Sequence, residues 1–252
     1  MRTVELVIGD VHARADALAT LLHEVGAVDE RGRRRRGWWI VQVGDLLDRR
    51  ATPEANLATA RLAQDTLDVV LVGNHEACML ADASSPHGAA LAALATHGWP
   101  HAAAACGDWL VTHAGMHPEL ARSLPPDALD CAQAINDRWN RRPRGRLEDP
   151  VFAWVGPARG GDAPHGGIIW MHRDEWPRKG STPWGQIVGH VPQRKPRLLA
   201  GPRWAIDVGA REGRLGALVR KSGAPRWRPV VVEAGRDAPG LSWRAELGAA
   251  AA

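Results

Sequence analysis

Within its first 76 residues the chain uses one device three times: a short apolar run, then a glycine, then a polar residue. Thr3 to Ile8 ends in Gly9-Asp10, Trp39 to Val43 ends in Gly44-Asp45, and Val69 to Val72 ends in Gly73-Asn74-His75-Glu76. Apolar runs this short, bounded by turn residues, read as buried strands. Between them Leu18, Leu21, Leu22 and Val25 recur at helical spacing before the stop signal Gly26, and Glu54 to Gln64 also suits a helix. Polar residues therefore collect just beyond the carboxyl ends of successive strands, the rim where open α/β sheets bind ligands.

The reading continues less regularly. Residues 77–108 are Ala-rich and read as helical, and Trp109 to Thr112 is a further strand, closing on His113-Ala114-Gly115. Asp127 to Trp139 suits a helix among loops rich in Pro, Gly and Arg. From there the pattern is mostly β: Ile168 to Met171, Gln186 to Val188, Arg203 to Val208, Leu215 to Arg220 and Arg228 to Glu233. The expectation is an α/β fold of two stacked mixed β-sheets, a β-sandwich, flanked by α-helices. A single domain over 1–252 is expected, with its core over about 3–235 and a frayed Ala-rich tail after Glu246.

A chain of 252 residues can bury a substantial core. Its 12 Trp against one Phe and no Tyr indicate a biased source composition rather than a function. The formal charge is +4, and arginines cluster at 33–36, 138–146 and 211–228. A basic surface attracts phosphorylated ligands or nucleic acid through its long-range field; solvated Arg-rich loops are the plainer account, and nucleic acid is not called as a partner. The cysteines Cys78, Cys106 and Cys131 are odd in number and far apart, which argues against a disulfide framework or a zinc knuckle. No signal-peptide pattern opens the chain, and no apolar run approaches the ~18–20 residues that span a bilayer. A cytoplasmic protein without a membrane partner is expected.

The polar strand tips are, in order, Asp10 and His12; Asp45, Asp48 and Arg49; Asn74 and His75; His113; and His190. Carboxylate and amide oxygens suit hard divalent cations, while imidazole suits Zn, Fe and Mn. Two Asp, one Asn and three His make a mixed N/O inventory sufficient for two metals sharing one bridging carboxylate. Two cations ~3.5–4 Å apart lower the pKa of a bridging water and neutralise a transferring phosphoryl group. Each piece alone is weak: a Gly-Asp after a strand is often only a turn, and a lone His is usually a surface or satisfied core residue. His23, His87, His97, His101, His117 and His165 are read that way. The weight lies in the ordered set G-D-x-H at 9–12, G-D-x-x-D-R at 44–49, G-N-H-E at 73–76, H-A-G at 113–115 and G-H at 189–190.

Those five blocks resemble the calcineurin-like metallophosphoesterase superfamily, and within it the phosphoprotein phosphatase branch with its GDxHG, GDxxDRG and GNHE signatures. The resemblance covers residues 3 to about 216. It implies that Asp10 and His12 bind a first metal, that Asp45 bridges, and that Asn74, His113 and His190 bind a second. It further implies that His75 is the general acid, held by Asp48, and that Arg49 grips the phosphate, with Arg138 the candidate for a second gripping arginine and Arg141 and Arg142 competing for that role. Two divalent ions are implied, Mn first, with Fe, Zn, Ni or Mg as alternatives. Two departures stand out: Ala13 and Arg50 occupy positions where the family usually has glycine. The methyl group of Ala13 reads as a small steric change, and the turn at Arg50 must manage without glycine's freedom.

The activity implied is hydrolysis of phosphomonoesters, as in a serine/threonine protein phosphatase acting on a phosphorylated protein or small phosphoester, by in-line attack of a metal-bridging hydroxide. The alternative is a symmetrical dinucleoside polyphosphate hydrolase, whose third block normally reads G-N-H-D; Glu76 favours the phosphatase branch. A non-catalytic domain that binds phosphorylated partners is a third reading, opposed by the intact ligand set. Glu76 is expected to brace its loop by hydrogen bonds. Arg33 to Arg36 read as a solvated hairpin tip, and His172-Arg173 lie near the rim.

Overall fold

The computed structural model describes residues 4–96, 98–142, 148–176 and 182–233. Ten strands are described: β1 (Val4–Ile8), β2 (Trp38–Gln42), β3 (Val69–Val70), β4 (Ala104–Cys106), β5 (Trp109–Val111), β6 (Gly185–Val188), β7 (Arg197–Leu199), β8 (Arg203–Ala205), β9 (Arg214–Lys221) and β10 (Arg228–Glu233). The α-helices are α1 (Ala15–Glu24), α2 (Pro53–Thr66), α3 (Asn74–Ala81), α4 (Gly88–Ala95), α5 (Pro118–Ala121), α6 (Ala128–Arg141) and α7 (Pro150–Ala153). The expected tail after Glu246, the residue His97 and the arginines of 143–147 lie outside the described residues.

The strands form two five-stranded sheets, in the orders β10-β9-β1-β2-β3 and β4-β5-β6-β8-β7. Both are mixed: β1 runs parallel to β2 but antiparallel to β9, and β6 runs parallel to β5 and β8 while β7 opposes β8. Strand periodicity explains how the layers stack. In β1 the side chains of Leu6 and Ile8 point into a core shared with α1 and α2, while Val7 points the other way. Val7 packs with Val41, Val111, Ile187 and Leu218 in a cluster drawn from both sheets. The fold is thus two stacked mixed sheets flanked by helices, the α/β sandwich the apolar patterning predicts.

Local signals account for the helices. Thr52 caps α2 by accepting from the Ala55 amide at 3.2 Å, with Pro53 at the first helical position. Asp127 caps α6, accepting from the amides of Leu129 and Asp130. Cys131, Ala132, Ile135 and Trp139 form the buried stripe of α6. Asn136 then pins that helix to the start of β4 through both backbone groups of Ala103 and the amide of Ala102.

Three expectations need correction. Ile168 to Met171 is not a strand: Ile168, Ile169 and Met171 are buried and Trp170 is half-buried, but the amides of Trp170 and Met171 return to the Gly167 carbonyl, closing a turn. Buried apolar turns and strands share composition, so the run misleads. Asn74, His75 and Glu76 are not a loop but the first turn of α3. Lastly, β4 lies in the stretch read as helical and β7 was not expected; both pair antiparallel across short turns. The arginine run is partly engaged: Arg33 pairs with Asp29, and Arg34 bonds Asp68 at 2.5 Å.

Candidate metal centre

The strand tips are held in a backbone conformation that most residues avoid. His12, Ala13, Asp45 and His190 have positive φ angles of 50, 59, 53 and 68°. For a non-glycine residue this costs on the order of 1 kcal/mol, and such strain concentrates at functional sites. Hydrogen bonds enforce it: the amides of Val11 and His12 both donate to the Asp45 carbonyl at 2.9 Å, and the Ala13 amide donates to Leu46. The amide of His190 donates to the Asp10 carboxylate at 3.0 Å. That approach requires Gly189, since a Cβ there would collide with the Asp10 carboxylate. Gly73 meets Asp45 in the same way, allowing the His75 amide to donate to Asp45 Oδ1 at 2.9 Å.

The side chains converge from five segments. Two overlapping groups place potential ligand atoms within 4.8 Å of one another: His12, Asp45 and His75, and Asp45, His113 and His190. Asp45 belongs to both. His113 Nε2 lies 3.1 Å from Asn74 Oδ1, 3.1 Å from His190 Nδ1 and 3.6 Å from Asp45 Oδ2. Its Nδ1 faces the Val43 carbonyl at 3.2 Å, the kind of second partner that fixes the tautomer of a metal-binding imidazole. Asp10 adjoins through its bond to His190 and through charge repulsion with Asp45 and Asp207.

The electrostatics are those of a site built around cations. Burial, followed by the charges of Asp207 and Asp45, raises the carboxyl of Asp10 well above its ordinary range. Burial likewise pushes Asp45 and Asp207 up to about 6. Burial lowers His12 and His113 to about 3, and His190 well below its usual value. The imidazoles are therefore neutral with lone pairs available, and the carboxylates repel one another. His12 Nδ1 is buried with no hydrogen-bond partner. Divalent cations relieve each of these costs, so the donor set fits the group.

His75 sits differently. Its Nδ1 lies 3.1 Å from Asp48 Oδ1, and its Nε2 lies 2.9 Å from Arg211 Nη2. A guanidinium only donates, so Nε2 accepts and the ring proton belongs on Nδ1, toward Asp48. The Arg49 amide also lies 3.1 Å from Nδ1, but a neutral ring has one acceptor nitrogen and the charge-assisted bond takes it. Burial alone would raise Asp48; its bonds to His75 and Arg211 together outweigh that and hold it below the usual carboxylate range. Asn56 clamps Asp48 from behind, accepting from its amide at 2.8 Å and donating to its carbonyl at 2.9 Å. Asn56 in turn meets His87 Nδ1 at 3.0 Å. Glu76 braces the same corner, accepting from the amides of Asp45, Leu47 and Gly73.

The arginines are distributed otherwise than the sequence suggests. Arg138 lies on α6, where Nη2 donates to the Ser123 carbonyl and Nη1 is 3.9 Å from Asp149; neither partner belongs to the cluster. Arg49 extends into solvent with Nη1 4.0 Å from Cys78 Sγ. Among the described residues, the guanidiniums that touch cluster side chains are Arg211, on His75, and Arg159, whose Nη2 lies 2.8 Å from His190 Nε2. Sequence reasoning passed over Arg211, Arg159, Asn56, His87 and Asp207. Only Asp207 carried the usual signal, an Asp following the strand β8, and the strand assigned to Arg203–Val208 ran through it.

A family model described as calcineurin-like phosphoesterase matches residues 6–220. No curated protein sequence matches the chain. Among solved structures, the chain is similar to a cold-active protein-tyrosine phosphatase of a psychrophile, Shewanella sp., with a TM-score of 0.62 and 17% identity, covering 93% of this chain and 81% of that one. A structure titled as a cold-active protein tyrosine phosphatase at 1.1 Å superposes with a TM-score of 0.55 at 18% identity, covering 91% and 79%. At these identities the likeness speaks to the fold.

Proposed function

The chain belongs to the calcineurin-like phosphoesterase family, metal-dependent hydrolases of phosphoric esters that bind two divalent cations, and from that premise we propose a phosphomonoesterase acting on phosphoserine and phosphothreonine. The observation that carries this reading is the buried Asp48–His75 pair beside the two donor groups that share Asp45. Asp10, His12, Asp45, Asn74, His113 and His190 would hold the cations, with manganese the first choice for so mixed an N/O set. When bound, the cations supply Lewis acidity, neutralising phosphoryl oxygens and making water more acidic.

The remaining chemistry belongs to the side chains. An alkoxide of serine or threonine leaves poorly unless protonated, and His75 is the proton donor in this reading; its Nε2 accepts from Arg211 in the resting ring, so Arg211 must turn to the phosphate and Nε2 take up a proton before delivering one. Asp48 holds the ring through Nδ1. Arg211 and Arg159 bracket the cluster, and with Arg49 they offer planar, bidentate donors to the non-bridging oxygens. Among the described residues no helix is long and apolar enough to cross a membrane. Cys78 and Cys131 are free thiols, which supports a cytoplasmic setting.

The deciding experiment compares kcat/KM at one manganese concentration on a phosphothreonine peptide, a phosphotyrosine peptide and diadenosine tetraphosphate. The phosphotyrosine arm is included because the similar Shewanella structure is titled a protein-tyrosine phosphatase. The phosphothreonine peptide is expected to lead. A preference above ~10-fold for the dinucleotide, ~1.4 kcal/mol of transition-state binding, assigns the chain to dinucleoside polyphosphate hydrolysis instead. Tight binding of the phosphopeptide without release of phosphate makes it a binding domain.

A further inference from the structure

We propose that His117, Glu119 and His165 form a separate site for one divalent cation of the zinc class, sharing no ligand with the two-metal centre. Each residue offers one imidazole nitrogen or carboxylate oxygen, and these atoms lie within 4.8 Å of one another. His165 is 3% exposed, and its Nδ1 lies 3.0 Å from the Gly166 carbonyl. A carbonyl only accepts, so Nδ1 carries the proton and Nε2 the lone pair. That Nε2 is buried without a hydrogen-bond partner, and it faces Glu119 Oε2 at 3.4 Å. A lone pair set against a carboxylate oxygen is repulsive until a cation stands between them.

The second imidazole comes from His117, stacked on His165 with ring centroids 3.9 Å apart and planes inclined by 21°; lone pairs lie in the ring planes, so the His117 ring turns out of the stack to share a cation with His165. Burial, then the neighbouring His165, lowers the pKa of His117 against the opposing charge of Glu119; Arg203 and Arg122 add to the lowering. The ring is therefore neutral, as a ligand must be. Two imidazoles and one carboxylate form a common zinc donor set, with a fourth position left for water. The Nδ1–carbonyl bond of His165 is the second partner that orients metal-bound imidazole.

Bonds of ~2.0–2.2 Å require ligand atoms about 3.4 Å apart. The Glu119 side chain, 56% exposed, has the freedom to close that gap. Coordination through His117 Nδ1 would displace the 3.3 Å bond that it accepts from the Glu119 amide. Occupied, the site would tie the start of α5, just beyond the His113 loop, to the segment that carries Arg159 to His190.

The test uses the full chain, stripped with chelator, equilibrated with Zn(II) and freed of loose ions, with metal per chain measured for wild type, His165→Gln and Glu119→Gln. Glu119→Gln alters an exposed side chain, so it serves if His165→Gln folds poorly. Wild type is expected to hold one ion more than each variant. Equal contents overturn the inference. Asp45→Asn separates this from the two-metal reading: it lowers the count through the other centre, and the one-ion difference at His165 persists in that background.

Discussion

His75 Nε2 lies 2.9 Å from Arg211 Nη2, on the far side of the ring from Asp48, while Arg211 Nε bonds Asp48 Oδ2 at 2.5 Å. One guanidinium therefore touches both members of the proton-donating pair, and at 40% exposure it is also accessible to a phosphate. Arg211→Ala is expected to lower kcat/KM by ~10–100-fold, the worth of charged hydrogen bonds of about 1.5–3 kcal/mol. Metal content should not change. Arg211→Lys keeps the charge without the fork and should recover only part. Wild-type kcat/KM in the Ala variant removes Arg211 from the reaction.

His75→Asn should leave metal content near wild type while lowering kcat by ~10²–10⁴. The loss should be larger on phosphoserine peptides than on p-nitrophenyl phosphate, whose leaving group needs little protonation. Equal losses on both would mean that His75 positions rather than protonates.

Asp45→Asn should reduce both metal occupancy and turnover, because Asp45 belongs to both donor groups. The pH dependence of metal uptake follows from the carboxylates. Burial holds Asp45 at about 6 in the metal-free protein, so below that pH a proton must leave before a cation can take its place. Apparent affinity should thus fall as pH drops through about 6. His12 and His113, held near 3, remain unprotonated over that range and do not compete. Titration of manganese binding by calorimetry at several pH values checks this; affinity independent of pH between 5 and 7 contradicts it.

Ala13→Gly should stabilise the protein. At φ 59° the methyl group costs on the order of 1–2 kcal/mol, and glycine's greater unfolded freedom returns up to about 1 kcal/mol of that. A net gain of about 0.5–1 kcal/mol corresponds to about 1–4 °C in Tm for a chain of this size. The other non-glycine position behaves oppositely: Arg50 has no positive φ, and its amide bonds Asp48 Oδ1 at 2.9 Å. Arg50→Gly should bring no gain, and thermal melts of the two variants make the comparison.

The strand tips were legible because each residue there is placed by its own neighbours. An apolar run makes the strand, the following glycine lets the chain turn or approach closely, and the next side chain must emerge at the rim. Asp10, His12, Asp45, Asn74, His113 and His190 could be named on that basis, although Asn74 begins a helix, since the amino end of a helix can follow a strand as readily as a loop can. The unbroken apolar run Leu6-Val7-Ile8 likewise read as a buried strand, and its side chains fill clusters on both faces of the sheet.

What only the tertiary structure decided is which distant side chains meet that rim. Arg211 is 163 residues from Asp48 and 136 from His75, Arg159 is 31 from His190, and Asn56 reaches back across the first turn of α2 to Asp48. Arginines have long side chains and no local pattern that marks a ligand role. Arg138 was therefore indistinguishable in sequence from the arginines that reach the site, until the packing of α6 turned it toward Ser123 and Asp149. The residue types that can hold a metal are written into local strand–turn grammar; the charges that complete the site are set by how two sheets stack.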